Sequence, residues 1–179
     1  MRETGHISEM HRRNRKGATL VEMTLVGIPI IFILISIFEI SRGMWIYDTA
    51  AHAVREGVRF ATVHGVTCVN NPPTITNNCG ATVAGVAQVI RDAGVGMDPS
   101  TTTVTFTAPS PGGTPITCAL DSCPSTTWPP ASSNDVGTII QIDISTPFTS
   151  ALAMFWPGAA YVNFTTANLG ATSLDAIQF

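Results

Sequence analysis

Glu22 is the third residue of an apolar run, Leu20 to Phe38, that reads LVEMTLVGIPIIFILISIF. A carboxylate at that depth of a membrane helix is costly and by default asks for a partner. Directly before the run, Lys16-Gly17-Ala18 joins it to a basic cluster of Arg12, Arg13, Arg15 and Lys16. Cleavage of the Gly17–Ala18 bond would create a positive amine and leave Glu22 as the fifth residue. Its carboxylate would then stand about one helical turn from that amine, within reach of its own chain's or a neighbour's. The plainer alternative is a Glu22 ionised among lipid headgroups at interface depth.

Other candidates for chemistry are few. His6 and His11 precede the run, whereas His52 and His64 follow it, twelve residues apart. On a helix that spacing is roughly 18 Å, too far to share a metal or a proton within one subunit. A glycine-rich phosphate loop, a nucleophile elbow and an H-E-x-x-H are all missing from the sequence. The chain therefore reads as a non-enzyme that needs no cofactor and no metal. Asn163-Phe164-Thr165 fits a glycosylation sequon and is taken as accidental.

Four cysteines, Cys68, Cys79, Cys118 and Cys123, all follow the apolar run. In an oxidising compartment they would form two disulfides. Three pairings are open, and the local one, Cys68 with Cys79 and Cys118 with Cys123, is preferred because each closes a short loop. The C-x10-C and C-x4-C spacings, with no histidine beside them, match structural zinc sites poorly.

The elements that position these residues begin with the run itself. As a helix its nineteen residues extend roughly 28 Å, close to the hydrocarbon thickness of a bilayer. A buried core helix would need a larger surrounding domain than 179 residues offer. Hydrophobic residues make up 45% and charged ones only 12%, an excess that a membrane would accommodate. Five of the nine basic residues lie before residue 17, so the positive-inside rule keeps the N-terminus cytoplasmic and sends residues beyond about 40 outward. Past Arg91 there is no Lys or Arg and there are six carboxylates, which speaks against nucleic-acid binding. The far end of the run, Phe38-Glu39-Ile40-Ser41-Arg42, lacks the small-x-small site of an ordinary secretory signal.

The stretch Lys16-Gly17-Ala18-Thr19-Leu20-Val21-Glu22 resembles the class III signal of type IV pilins and pseudopilins. Further along, Glu39-Ile40-Ser41-Arg42-Gly43 and Ala50-Ala51-His52-Ala53-Val54-Arg55-Glu56-Gly57-Val58-Arg59-Phe60-Ala61 are similar to the E-x-x-R-G and A-A-R-E-G-A-R-Y-A patterns of TadE-like proteins. Those are pseudopilins of the tight-adherence (Tad) pilus system. The resemblance covers residues 16 to 64. It implies processing by a prepilin peptidase after Gly17, with Glu22 as the signal carboxylate. It also implies an inner-membrane location, in or at the base of a surface pilus, and partnership with other pilin-like subunits, the Tad assembly machinery and inner-membrane lipid. Met23 stands where many Tad pilins carry an aromatic residue, and no motif is matched after Val66.

Three segments follow: a cleaved basic leader, 1–17; a transmembrane helix, 18–40; and a periplasmic domain, 41–179. The helical pattern continues past the membrane, with Tyr47, Ala50, Ala51, Val54, Val58 and Ala61 on one face and Arg55, Glu56 and Arg59 on the polar side. One helix from Ala18 to about His64 is expected, kinked rather than broken at Pro29. Glu39 and Arg42, three apart, read as an exposed pair contributing little. A second helix is expected over Ala81–Ala93, ended by Gly94. Strands are expected over Thr102–Ala108, Thr138–Ser145 and Tyr161–Thr166, the second alternating Ile140, Ile142 and Ile144 with Gln141 and Asp143. Pro109–Asp135 reads as a surface loop, and Phe148–Trp156 as apolar chain buried against the sheet. The fold class is α+β: a long pilin-like helix packed on a small antiparallel sheet, with one further helix.

The leading reading is a structural, non-catalytic subunit. Its rival is an uncleaved, signal-anchored periplasmic binding module whose disulfide-bearing loop recognises a ligand. A membrane-anchored hydrolase is the third, and it lacks a catalytic constellation in the sequence.

Overall fold

The computed structural model describes residues 4–64, 80–109, 113–150 and 167–178, with side chains from Gly17 onward. By contact clustering the chain divides into two units, Met1–Ser41 and Arg42–Phe179.

Helix α1 spans Thr4–Thr62 and runs without a break through Pro29. It begins in the basic segment before Gly17 rather than at Ala18. In the first unit its apolar side chains face outward: Leu20, Leu25, Leu34 and Phe38 are between 60% and 75% exposed. None of its most apolar stretch is buried among the described residues, unlike a core helix, and it is a candidate membrane span by length and composition. Its hydroxyls are satisfied within the helix. Thr24 Oγ1 donates to the Val21 carbonyl at 2.9 Å, and Ser36 Oγ and Ser41 Oγ donate to the Phe32 and Ile37 carbonyls at 2.8 Å. Such back-bonding is how a helix carries hydroxyls where water is scarce.

The second unit is α+β. Helix α2 spans Val83–Ala93. Four strands, β1 (Thr103–Thr107), β2 (Ile116–Ala119), β3 (Ile139–Phe148) and β4 (Ala167–Ala176), form one sheet in the order β2-β1-β3-β4. All neighbours are antiparallel. The register sets Val104 opposite Ile144 and Phe106 opposite Ile142, so the inward positions of β1 and β3 share one face with Ile140. These side chains join Ala50, Ala53, Val54, Val58 and Ala61 of α1 and Val83, Val86 and Ile90 of α2 in a single core. Each fully buried isoleucine or valine contributes about 1.5–3 kcal/mol relative to exposure, which makes this cluster the main source of cohesion.

Several expectations need correction. The buried stripe of α1 includes Ala53, while Tyr47 is exposed. The region 109–135 is not merely a surface loop: it supplies β2 and buries Trp128, whose ring meets Phe106 edge-on with centroids 5.1 Å apart. It also caps α2. The Pro124 and Thr126 carbonyls accept from Ala84 N–H and Val83 N–H at 3.0 and 2.9 Å, and Thr82 Oγ1 accepts from Gly85 N–H at 3.0 Å. Donors at a helix start have no partner inside the helix, so a loop that supplies carbonyls there is structural. The strand expected at 161–166 lies outside the described residues, and β4 begins at Ala167. Residues 151–156 of the expected apolar segment lie outside them too, and its first residue, Phe148, ends β3.

Cys118 and Cys123 form a disulfide, as local pairing requires, at the end of β2. Cys68 and Cys79 lie outside the described residues. The Cys118–Cys123 bond closes a loop of sequence separation 5, for which chain entropy gives about 2 kcal/mol. Replacing both cysteines with alanine should lower the unfolding free energy of the detergent-solubilised chain by that order, read by thermal circular dichroism. Asp98, in the turn before β1, has a measurable consequence of its own. Its Oδ1 accepts from Ser100 Oγ–H at 2.8 Å and from Ser100 N–H at 3.0 Å. These bonds, the hydroxyl's foremost, hold its carboxyl below the usual carboxylate range. A depressed folded pKa contributes stability above the unfolded value and loses it as pH falls through the folded one. Wild type should therefore exceed Asp98→Asn in stability at neutral pH, with the gap closing in acid. A gap independent of pH would refute the assignment.

Candidate functional site

The candidate site is a set of positions along α1. Gly17 and Ala18 are helical and exposed, and a Cβ built on Gly17 meets no atom within 4 Å. A glycine inside a helix costs about 0.5–1 kcal/mol relative to alanine, and no close packing here offsets that cost. Gly27, deeper in the run, is equally open, so openness alone marks nothing. What distinguishes Gly17 is its place between the basic cluster and the apolar run. Arg12, Arg13, Arg15 and Lys16 are helical in backbone, and their side chains lie outside the described residues.

Glu22 is exposed on the same helix. Thr24, Ser36 and Ser41 bond back to the helix, and Thr19 and Glu39 each have a partner as well. Among the described residues, Glu22 is thus the one polar side chain from Gly17 to Ser41 with no hydrogen bond or ion pair. Any partner it has lies outside the described part of this subunit.

The two later motifs have internal work to do. The Arg42 guanidinium lies over the Phe148 ring, 4.5 Å from its centroid, and its Nη2 donates to the Thr149 carbonyl. Gly43 lies against the same ring, with a built Cβ 3.7 Å from Phe148 Cζ, an ordinary contact. Arg42 and Gly43 therefore hold the end of β3 to the part of α1 that belongs to the second unit. Glu39 is only 6% exposed, so the reading of Glu39 and Arg42 as a solvated pair fails at the glutamate. Sequence reasoning missed Phe148 and Thr149, because a contact across 107 positions leaves no local signal.

Gly57 is the stricter case. A Cβ there would stand 2.5 Å from Ile90 Cγ1 and 2.8 Å from Ile90 Cδ1. The Ala50–Ala61 stretch thus contains the residue that lets α2 lie close on α1, flanked by the buried Ala53, Val54 and Val58. His64 Nδ1 sits 2.6 Å from the Phe60 carbonyl and its ring stacks at 4.1 Å on Phe60, while His52 is exposed.

A polar cleft of about 490 Å³ lies between α1 and β4, lined by Arg55, Glu56, Arg59, Ser173, Asp175 and Gln178 among others. Among the described residues, no group of three or more His, Cys, Asp or Glu side chains converges as metal ligands do.

The TadE-like protein family model matches residues 17–59, about a quarter of the chain. That span holds Gly17, Glu22, Arg42, Gly43 and Gly57, and the resemblance in the sequence is borne out there. The match connects the chain with Tad pilus systems, whose TadE-like components are generally structural. No curated protein and no solved structure gives a significant match.

Gly57→Ala should destabilise the chain by about 1–3 kcal/mol through overpacking against Ile90. Combined with Ile90→Ala, which removes both clashing atoms, it should cost clearly less than the sum of the two single variants. Strict additivity in thermal unfolding would show that the two positions do not meet.

Proposed function

We propose that this chain is a TadE-like pseudopilin, a non-catalytic, single-pass inner-membrane component of Tad pilus assembly. In this reading residues 1–17 are a cytoplasmic leader removed by a prepilin peptidase, 18–40 span the membrane and 41–179 form the periplasmic domain. The observation that carries the proposal is Glu22. Every other polar side chain from Gly17 to Ser41 has a partner, and Glu22 has none among the described residues. Cleavage after Gly17 would make the amine of Ala18 a countercharge about one turn away, on the same chain or on a neighbouring subunit. Gly17 supports the same reading by its place between the basic cluster and the apolar run, where packing does not require a glycine. A peptidase that must approach the backbone would supply that requirement from outside.

The partners in this reading are the peptidase, other pilin-like subunits, the assembly machinery and membrane lipid. The test is the intact mass of membrane-extracted protein made with and without its cognate prepilin peptidase. Wild type should lose residues 1–17 only when the peptidase is present, and Gly17→Val should stay full length. Full-length protein in every case would favour the uncleaved signal-anchored module and require another account of Glu22.

A further inference from the structure

Where α2 ends, the outer unit presents apolar surface that none of its described residues covers. Val86 and Ile90 of α2 lie against Gly57, while Gly96, six residues after Ile90, lies beside Trp45, whose Nε1 is 3.8 Å from a Cβ built on Gly96. On α1, Gly57 and Trp45 are twelve residues apart, roughly 18 Å. The chain after Ile90 therefore descends along α1 toward Arg42, the first residue of this unit.

The turn that follows is built tightly. A Cβ on Gly94 would stand 2.1 Å from Met97 Cε and 2.9 Å from the Ile90 carbonyl oxygen, and Gly96 has φ +92°. Gly94 and Met97 are buried, but Val95 between the two glycines is 66% exposed. Beside it Trp45 is 64% exposed and Met44 59%. An apolar residue at the apex of a glycine-shaped turn, next to an open indole, is an arrangement that water does not favour.

From this we infer that Val95 and Trp45 form a membrane-contact rim, seated in the headgroup layer of the bilayer. The inference rests on the proposal that residues 18–40 span the membrane. Trp45 follows the exposed Ile40 by five residues, roughly 7 Å of helix, which matches the thickness of the headgroup layer on one side of a bilayer. Tryptophan is enriched at that depth because its ring is apolar and its N–H polar. Helical side chains also lean toward the helix N-terminus, which brings the indole closer to the apolar run. The charges near the rim in sequence do not favour anionic lipid. Asp48, Asp92 and Asp98 are exposed and acidic, whereas the two arginines, Arg42 and Arg91, are half-buried, and Arg42 is engaged with Phe148 and Thr149. Apolar insertion into a zwitterionic interface, rather than attraction to anionic lipid, drives the contact.

The test uses the full chain in phosphatidylcholine vesicles, with a nitroxide spin label on Val95→Cys, Val136→Cys or Leu34→Cys, and wild type as the labelling control. Val136 is a matched reference, 57% exposed in a turn whose Gly137 N–H donates to the Ile177 carbonyl. The residue after Ile177, Gln178, donates its N–H to the Thr62 carbonyl at the far end of α1. The ratio of collisions with oxygen to collisions with a nickel chelate should be several-fold higher at 95 than at 136. Adding phosphatidylglycerol should leave it unchanged. Equal ratios at 95 and 136, with the label at 34 reading the bilayer core, would overturn the rim and leave the span intact. A label at 34 reading as water-exposed would remove the span and the rim together. A ratio at 95 that rises only with phosphatidylglycerol would overturn the apolar basis of the contact.

Discussion

Two helices can share a hydrophobic core only if their backbones come close enough to exclude water between them, and in the second unit that approach happens at Gly57. The space a methyl group would need there is filled by Ile90. Because α2 is seated at that point, its capped start meets the 124–128 loop and its glycine-rich end reaches Trp45. The same loop buries Trp128 against Phe106 of β1, and β1 aligns its inward residues with those of β3. One small residue thus determines how closely a helix, a loop and a sheet converge. Its neighbours on α1, Ala50, Ala53 and Ala61, follow the same logic of small side chains where elements must approach.

The inner half of α1 obeys the opposite rule. Its large side chains point outward, and its hydroxyls turn back on their own carbonyls, as a helix in lipid requires. Against that background the unpartnered carboxylate of Glu22 is informative. In the proposed reading, Glu22, which no described residue answers, gains its partner when proteolysis of the Gly17–Ala18 bond frees an amine within a turn. In the proposed reading, the leader, the carboxylate and the apolar run are parts of one electrostatic device, not separate features.

The match to TadE-like proteins stops at Arg59, and the sheet lies wholly beyond it. Even so, the matched stretch reaches into the unmatched part through specific contacts. Arg42 and Gly43 hold Phe148 at the end of β3, and Gly57 receives Ile90 of α2. The matched helix is therefore attached to the unmatched domain at fixed points. This is a physical reason for a short signature to accompany a larger fold.

Sequence alone determined the features that depend on local periodicity or on charge order: the apolar run, the Gly17–Glu22 spacing, the second helix, the strand at Ile140–Ile144 and a preference for the local Cys118–Cys123 bond, one of three pairings it left open. Each rests on residues within a few positions of one another. Only the tertiary structure decided that Arg42 engages Phe148 and Thr149, that Gly57 faces Ile90, that β2 and Trp128 lie in what reads as loop, and that the turn bearing Val95 stands beside Trp45. The physical reason is the same for each. These contacts join residues far apart in the chain, and no local propensity specifies which distant partner will fill a given space once the core has closed.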